Sequence, residues 1–317
     1  MVDATSQTAL GRRVVLLSLG LFLAVPTAPA QQQADTSFQA VVANPAYAAG
    51  AGPVVLIDEA HHNFHTVEGR YHAFAEVLRA DGYVVRPSAR AFDAEALDEA
   101  DVLVISNALH ERNIEDWQLP TPSAFTTEEI EHVRAWVERG GALLLIADHM
   151  PFPGAAGAMG AAFGFAFNNG FAMDTLQAPA TMFHRADGLL RDHPITNGRG
   201  AAERVDSVRS FTGQAFRAGP EAQPLLVMGP TMVSLMPEEA WEFDEATRRV
   251  AVAGWLQGAA QRVGEGRVAV FGEAAMFTAQ YVPQRQMWFG LGAPGAEQNQ
   301  QFLLNVMHWL SGMVNGE

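Results

Sequence analysis

Three apolar runs without a polar break, Val54–Ile57, Val102–Ile105 and Ala142–Ala147, constrain this chain more than any other feature. Each is too short for a buried helix and long enough for a strand buried on both faces. Between them lie segments of helical spacing. Tyr71, Phe74, Ala75 and Leu78 follow Thr66, a candidate cap, and Asp81-Gly82 ends the turn pattern. A brief helix is predicted over 94–100. The pair Thr126 and Glu129 forms a capping box that opens a helix carrying Ile130, Val133 and Val137 inward, stopping at Gly140-Gly141. With Tyr83–Arg86 as a short second strand, the order is β-α-β-α-β-α-β. That order predicts an α/β fold: a mostly parallel sheet with helices on both faces.

After residue 150 the pattern changes. Phe163, Phe165 and Phe167 alternate ahead of Asn168-Asn169-Gly170, a hairpin signal. Short strands are predicted at 224–228, 250–256 and 267–271, and a closing helix over 298–310 buries Phe302, Val306 and Leu310. The second half is thus β-rich and antiparallel, within one domain spanning 53–313. Residues 31–52 read as a linker, with Phe38 and Tyr47 as anchoring points.

The first 30 residues have the order of a secretory signal: Arg12-Arg13, the apolar run Val14–Val25, then Ala28-Pro29-Ala30 as a small-x-small cleavage site. The expectation is export to the periplasm or beyond, through either the general or the twin-arginine route. No later segment is long and apolar enough to span a bilayer.

Composition removes whole classes of chemistry. With 20 basic side chains against 35 acidic ones the net charge is −15, which argues against nucleic acid as partner. There is no Cys, hence no thiolate nucleophile, disulfide or Cys-ligated metal. There is also no Lys, which excludes a Schiff-base lysine and a phosphate-binding P-loop. No G-x-S-x-G elbow supports a serine nucleophile.

What remains is His and carboxylate chemistry at strand ends, where an open α/β sheet binds its ligands. Asp58, Glu59, His61, His62 and His65 follow the first run; Asn107 and His110 follow the second; Asp148 and His149 follow the third. Glu273 follows the strand at 267–271 and joins the same crevice if that strand runs parallel. Asp58, His61 and His149 are candidate ligands for a divalent metal (Zn, Mn or Mg), with Asp148 and Glu273 as base or orienting carboxylates. Glu59, His62, His65, Asn107 and His110 are further candidates. Each carboxylate has a structural alternative as a turn anchor or helix cap. The loop 107–125, with Trp117 between polar residues and prolines, reads either as a cover over the crevice or as a surface excursion with a packed Trp.

Several short motifs carry a family resemblance: Asp58-Glu59-Ala60-His61, Gly140-Gly141 before a strand, Asp148-His149 after it, Asp192-His193-Pro194-Ile195, and Gly264-Glu265-Gly266-Arg267-Val268. Together they resemble class I glutamine amidotransferase-like proteins, nearest to the ThuA-like and GldG-like groups. The resemblance implies a flavodoxin-like sheet with an added β region. True amidotransferases carry their nucleophilic Cys where Asp148-His149 stands, so glutaminase activity does not transfer. Two functions are compatible with these residues. One is a metal-dependent hydrolase of a small or carbohydrate-derived substrate. The other is a non-catalytic amidotransferase-like module that binds a glycan or an envelope protein.

Overall fold

The computed structural model describes residues 32–176 and 181–315, so the leader at 1–30 lies outside the described residues. The first half contains β1 (Gln33–Ala34), β2 (Val54–Asp58), α1 (His72–Ala80), β3 (Val84–Ser88), α2 (Ala94–Leu97), β4 (Val102–Ser106), α3 (Thr127–Glu138), β5 (Ala142–Ile146) and α4 (Phe152–Ala162). Next come β6 (Phe165–Phe167), β7 (Phe171–Asp174), β8 (Thr181–His184), α5 (Pro194–Asn197), β9 (Ser207–Ser210), β10 (Phe216–Ala218), β11 (Gln223–Val227) and β12 (Met232–Met236). The chain ends with β13 (Arg248–Ala251), β14 (Leu256–Val263), β15 (Gly266–Phe271), β16 (Ala279–Val282), β17 (Met287–Gly290) and α6 (Asn299–Leu310).

The central sheet runs β3-β2-β4-β5-β15-β14-β10-β6, with β11 also on β14. From β3 to β15 every pairing is parallel; from β14 outward every pairing is antiparallel. Counted along the chain, the five parallel strands stand in the order 2-1-3-4-5, the doubly wound order with its switch point between β2 and β4. Alternation along each strand divides the core. Val55 and Ile57 of β2, Leu144 of β5 and Phe271 of β15 pack with Phe74 and Leu78 of α1 and Phe302 and Val306 of α6. Leu56, Leu143 and Val270 point the other way, onto Val133 and Val137 of α3 and Ala156 and Met159 of α4. Helices therefore cover both faces, and the unbroken apolar runs follow from that burial.

Some local expectations are corrected. Asn168-Asn169-Gly170 does not close a hairpin: β6 pairs with β10 and β7 with β12, so the turn passes the chain from one sheet to another. The side chain of Asn169 is engaged elsewhere, accepting the Gly154 N–H and donating to Thr121. The predicted strand 250–256 is two strands, split by a turn at Gly254 with φ 79°. Thr66 does not cap α1. Its carbonyl accepts the N–H of both Gly69 and Tyr71, closing a turn that delays the helix to His72. The Thr126–Glu129 capping box forms as expected. Along the stretch read as a linker, β1 pairs with β16, Phe38 lies against the core, and Tyr47 meets the Tyr83 ring edge-on at 5.1 Å.

His308 of α6 is fully buried and holds the two helices of one face together. Its Nε2 lies 2.7 Å from Asp81 Oδ2 at the end of α1, while Asp81 Oδ1 accepts the Ala46 N–H. Removing one member of a buried pair strands the other. His308→Ala is expected to cost about 3–5 kcal/mol in urea unfolding; a loss below ~1 kcal/mol would show that the tie between α1 and α6 is not structural.

Candidate functional site

The carboxyl ends of β2, β4, β5 and β15 lie side by side on one edge of the sheet, and Asn107 binds three of them together. It follows β4 in a left-handed conformation, φ 50°, which Asn tolerates better than most residues. Its N–H donates to Ile146 O, its carbonyl accepts the Phe64 N–H, and its Oδ1 accepts the Asp148 N–H at 2.9 Å.

Asp58 and His61 do meet, in an arrangement that the spacing of residues did not reveal. His61 Nδ1 lies 2.9 and 3.0 Å from the two Asp58 oxygens, and His61 Nε2 lies 2.9 Å from Glu129 Oε1. The imidazole is thus held between two carboxylates, with Phe92 and Phe125 packed on it at 4.6 and 4.7 Å between ring centroids. Asn63 donates to Asp58 Oδ2 and accepts the His61 N–H, so the turn is closed from within. Burial alone would lower the His61 pKa; the hydrogen bonds and charges of Asp58 and Glu129 outweigh it, and the net shift is upward. For Glu129, burial opposes ionisation, but the Thr126 N–H and His61 bring its pKa down to about 2.

Asp148 and Glu273 form a second group. The parallel register pairs Ile146 with Phe271, so the two residues stand two positions beyond on neighbouring strands. Both are buried. Glu273 accepts the N–H groups of Ala275 and Met276 at 2.8 and 2.7 Å, and Asp148 accepts the N–H of His149 at 2.7 Å. Burial, reinforced by the Asp148 charge, pushes the Glu273 pKa well above the usual carboxylate range despite those two donors. Tyr71 shares this interior. Its hydroxyl accepts from Ser106 at 2.9 Å, and burial, with the same two carboxylates near, raises its pKa.

His149 faces a third environment. Its Nδ1–H donates to Met150 O at 2.8 Å, which leaves Nε2 without a protein partner among the described residues. Phe171 stacks on the ring at 4.5 Å, Trp241 meets it edge-on at 4.6 Å, and Trp117 lies at 6.1 Å. The two tryptophans come from loops joined to each other. Ala240 N–H donates to Trp117 O, Leu119 N–H donates to Glu238 O, and Gln118 bridges Glu239. Trp117 is half-buried against Phe64 and Phe152, at 5.4 and 5.3 Å. Trp241 is 48 % exposed and sits in left-handed backbone, φ 72°. A large side chain in that region is strained, and such strain tends to accumulate at functional sites.

The other candidates divide by what they touch. Glu59 anchors the turn through the Val67 N–H, and His110 caps the short helix Glu111–Asn113 by accepting the Arg112 N–H. His62 is exposed, with φ 49°. His65 is buried with Nδ1 unpartnered among the described residues; burial, with Arg70 and His149 nearby, pushes its pKa well below the usual range. As a metal set the expected trio does not present free donors together. Both nitrogens of His61 and both oxygens of Asp58 are hydrogen-bonded, and His149 contacts neither. Among the described residues no three His, Asp or Glu side chains are grouped to hold a metal ion. Sequence reasoning missed Glu129, whose capping-box role hid its second partner, and Trp241. The signal for Trp241 was an aromatic pair interleaved with acids in Glu238-Glu239-Ala240-Trp241-Glu242-Phe243, a composition that belongs at a surface.

Comparison with solved structures places the architecture. The chain superposes over 83 % of its length on 98 % of the N-terminal domain of mmIFT52, with a TM-score of 0.57 and 14 % identity. At that identity the likeness shows a shared fold alone. Weaker matches include a protein from Bacteroides uniformis described as ThuA-like, with TM-score 0.47, 14 % identity, and 85 % of this chain against 93 % of that one. The cytoplasmic protein STM3548 from Salmonella typhimurium matches with TM-score 0.46 and 15 % identity, over 81 % of this chain and 98 % of that one. No family model matches the sequence, and no curated protein matches it.

The carboxylate–imidazole–carboxylate chain has a pH signature. Because the folded His61 pKa is raised, its stabilisation is complete below the unfolded value near 6.5 and is lost as pH rises through the folded value. Glu129 behaves oppositely: its contribution is present above about 4.5 and is lost as pH falls toward about 2. The gap in melting temperature between wild type and His61→Gln is therefore expected to be widest near pH 5–6 and to narrow toward pH 9. A gap that stays constant across this range would mean that His61 is not held as an imidazolium.

Proposed function

We propose that this chain is an exported binding module that takes a small ring-bearing ligand of the carbohydrate class at the aromatic cluster around His149. The observation that carries the reading is the pairing of Trp117 and Trp241 over that imidazole. Two joined loops bring aromatic faces to one histidine, and one of them, the strained Trp241, is half open to solvent. An aromatic face binds the apolar face of a sugar ring, and its polar surroundings take the hydroxyls. In the neutral ring His149 Nε2 is an acceptor for such a hydroxyl, because Nδ1 holds the hydrogen.

The internal saturation of the other groups favours binding over chemistry. His61, Asp58, Glu59 and His110 spend their hydrogen bonds on the protein itself. Export is part of the same proposal and rests on the Arg12-Arg13 leader. So is membership of the class I glutamine amidotransferase-like superfamily, which rests on the motifs and agrees with the 2-1-3-4-5 sheet. A second reading, hydrolysis, is favoured by one observation: the adjacent buried pair Asp148 and Glu273, in which Glu273 retains its proton more readily than an ordinary carboxyl.

Intrinsic tryptophan fluorescence against a panel of neutral mono- and disaccharides tests the reading. At least one sugar is expected to bind, and Trp241→Ala to weaken it about tenfold or more, ~1.4 kcal/mol. Because Trp241 is half exposed, its removal should change stability by less than about 1 kcal/mol. Absence of any response, or unchanged affinity in Trp241→Ala, would remove the proposal. Turnover of the bound sugar that disappears in Glu273→Gln would establish the hydrolytic reading instead.

A further inference from the structure

The same two loops carry four large apolar side chains that the protein covers only in part. Ile114, Leu119, Trp241 and Phe243 are 41, 47, 48 and 37 % exposed. Single exposed hydrophobics need no explanation, but these four flank one hydrogen-bonded seam, where residues 117–119 meet 238–240. The backbone that presents them is tied down. Asn113 donates to the carbonyls of Asp116 and Gln118, and Asp244 accepts from Thr247. A rigid apolar face is ready to dock without ordering cost.

The charge around this face says what fits it. Glu115 and Asp116 on one loop and Glu238, Glu239, Glu242 and Asp244 on the other are all exposed. None of the six is in an ion pair among the described residues. Four of them, Glu238, Glu239, Glu242 and Asp244, line a pocket of about 370 Å³ that Arg248 also lines, so carboxylates outnumber the one cation there four to one. Unneutralised carboxylates next to exposed indole and phenyl faces attract cations twice over, by charge and through the rings. The same field repels a second copy of a chain whose net charge is −15, and it repels anionic lipid and nucleic acid.

We propose that this face docks a basic polypeptide segment in which Lys or Arg side chains alternate with apolar ones. The cationic side chains enter the acidic pocket, and the apolar ones cover Leu119 and Phe243. This surface adjoins the aromatic cluster at His149 and shares Trp241 with it, but its acidic side chains and Phe243 make no contact with His149, so the proposal does not depend on a sugar binding there.

The test uses the mature chain and fluorescence anisotropy of a labelled short peptide alternating Lys and Leu, with a Glu-Leu peptide and a Lys-Ser peptide as controls. The Lys-Leu peptide is expected to bind, and to lose affinity steeply with added salt. Binding should fall at least about tenfold, ~1.4 kcal/mol, in the combined Glu238→Gln, Glu242→Gln variant and in Phe243→Ala. The Gln variant changes only exposed side chains, and an unchanged melting temperature verifies its fold. No binding of the Lys-Leu peptide overturns the proposal. So does equal binding of Glu-Leu, which would leave only non-specific apolar contact, or equal binding of Lys-Ser, which would leave only charge. Saccharide affinity measured on the same Gln variant should be retained, so failure here does not count against sugar binding at His149.

Discussion

The geometry of the carboxyl edge depends on one residue, Asn107, held in left-handed backbone at the tip of β4. Its three main hydrogen bonds reach the loop after β2 and the end of β5, so the side chain and backbone of one residue set the spacing of the candidate site. A β-branched residue could not hold that conformation without strain, and Gly would hold it without supplying Oδ1 for the Asp148 N–H. Asp148 in turn sits beside Glu273 because β5 and β15 run parallel and in register. The position of each group in the crevice therefore follows from strand order together with this one turn.

Once placed, the polar groups differ in what they have left to offer. The Asp58–His61–Glu129 chain is complete in itself and ties the β2 loop to α3. The Asp148–Glu273 pair is buried, and burial together with the neighbouring Asp148 charge raises the Glu273 pKa. His149 differs from both in keeping one nitrogen free, beneath aromatic rings that reach solvent.

Much of the fold was legible because burial writes itself into composition. The unbroken runs at 54–57, 102–105 and 142–147 could belong only to strands covered on both faces, and the Thr126–Glu129 box fixed the start of α3. The strand ends that would carry chemistry were legible for the same reason. What was not legible was partnership. Asp58 and His61 are three residues apart and were found together, but the second carboxylate of that chain, Glu129, comes from sixty-eight residues away. Nor does any local signal distinguish a hairpin from a sheet crossing at Asn168-Asn169-Gly170, since the choice is made by β10 and β12. Trp241 was missed because it lies outside any periodic element. Its role is set by the seam with Trp117, which only the folded chain brings together.

The most direct measurement is a crystal structure of the mature protein with a bound saccharide. The account expects the sugar ring against Trp241 and Trp117, with a hydroxyl at hydrogen-bond distance, about 3 Å, from His149 Nε2. A sugar bound elsewhere on the molecule, with no hydroxyl on His149 Nε2, would contradict it.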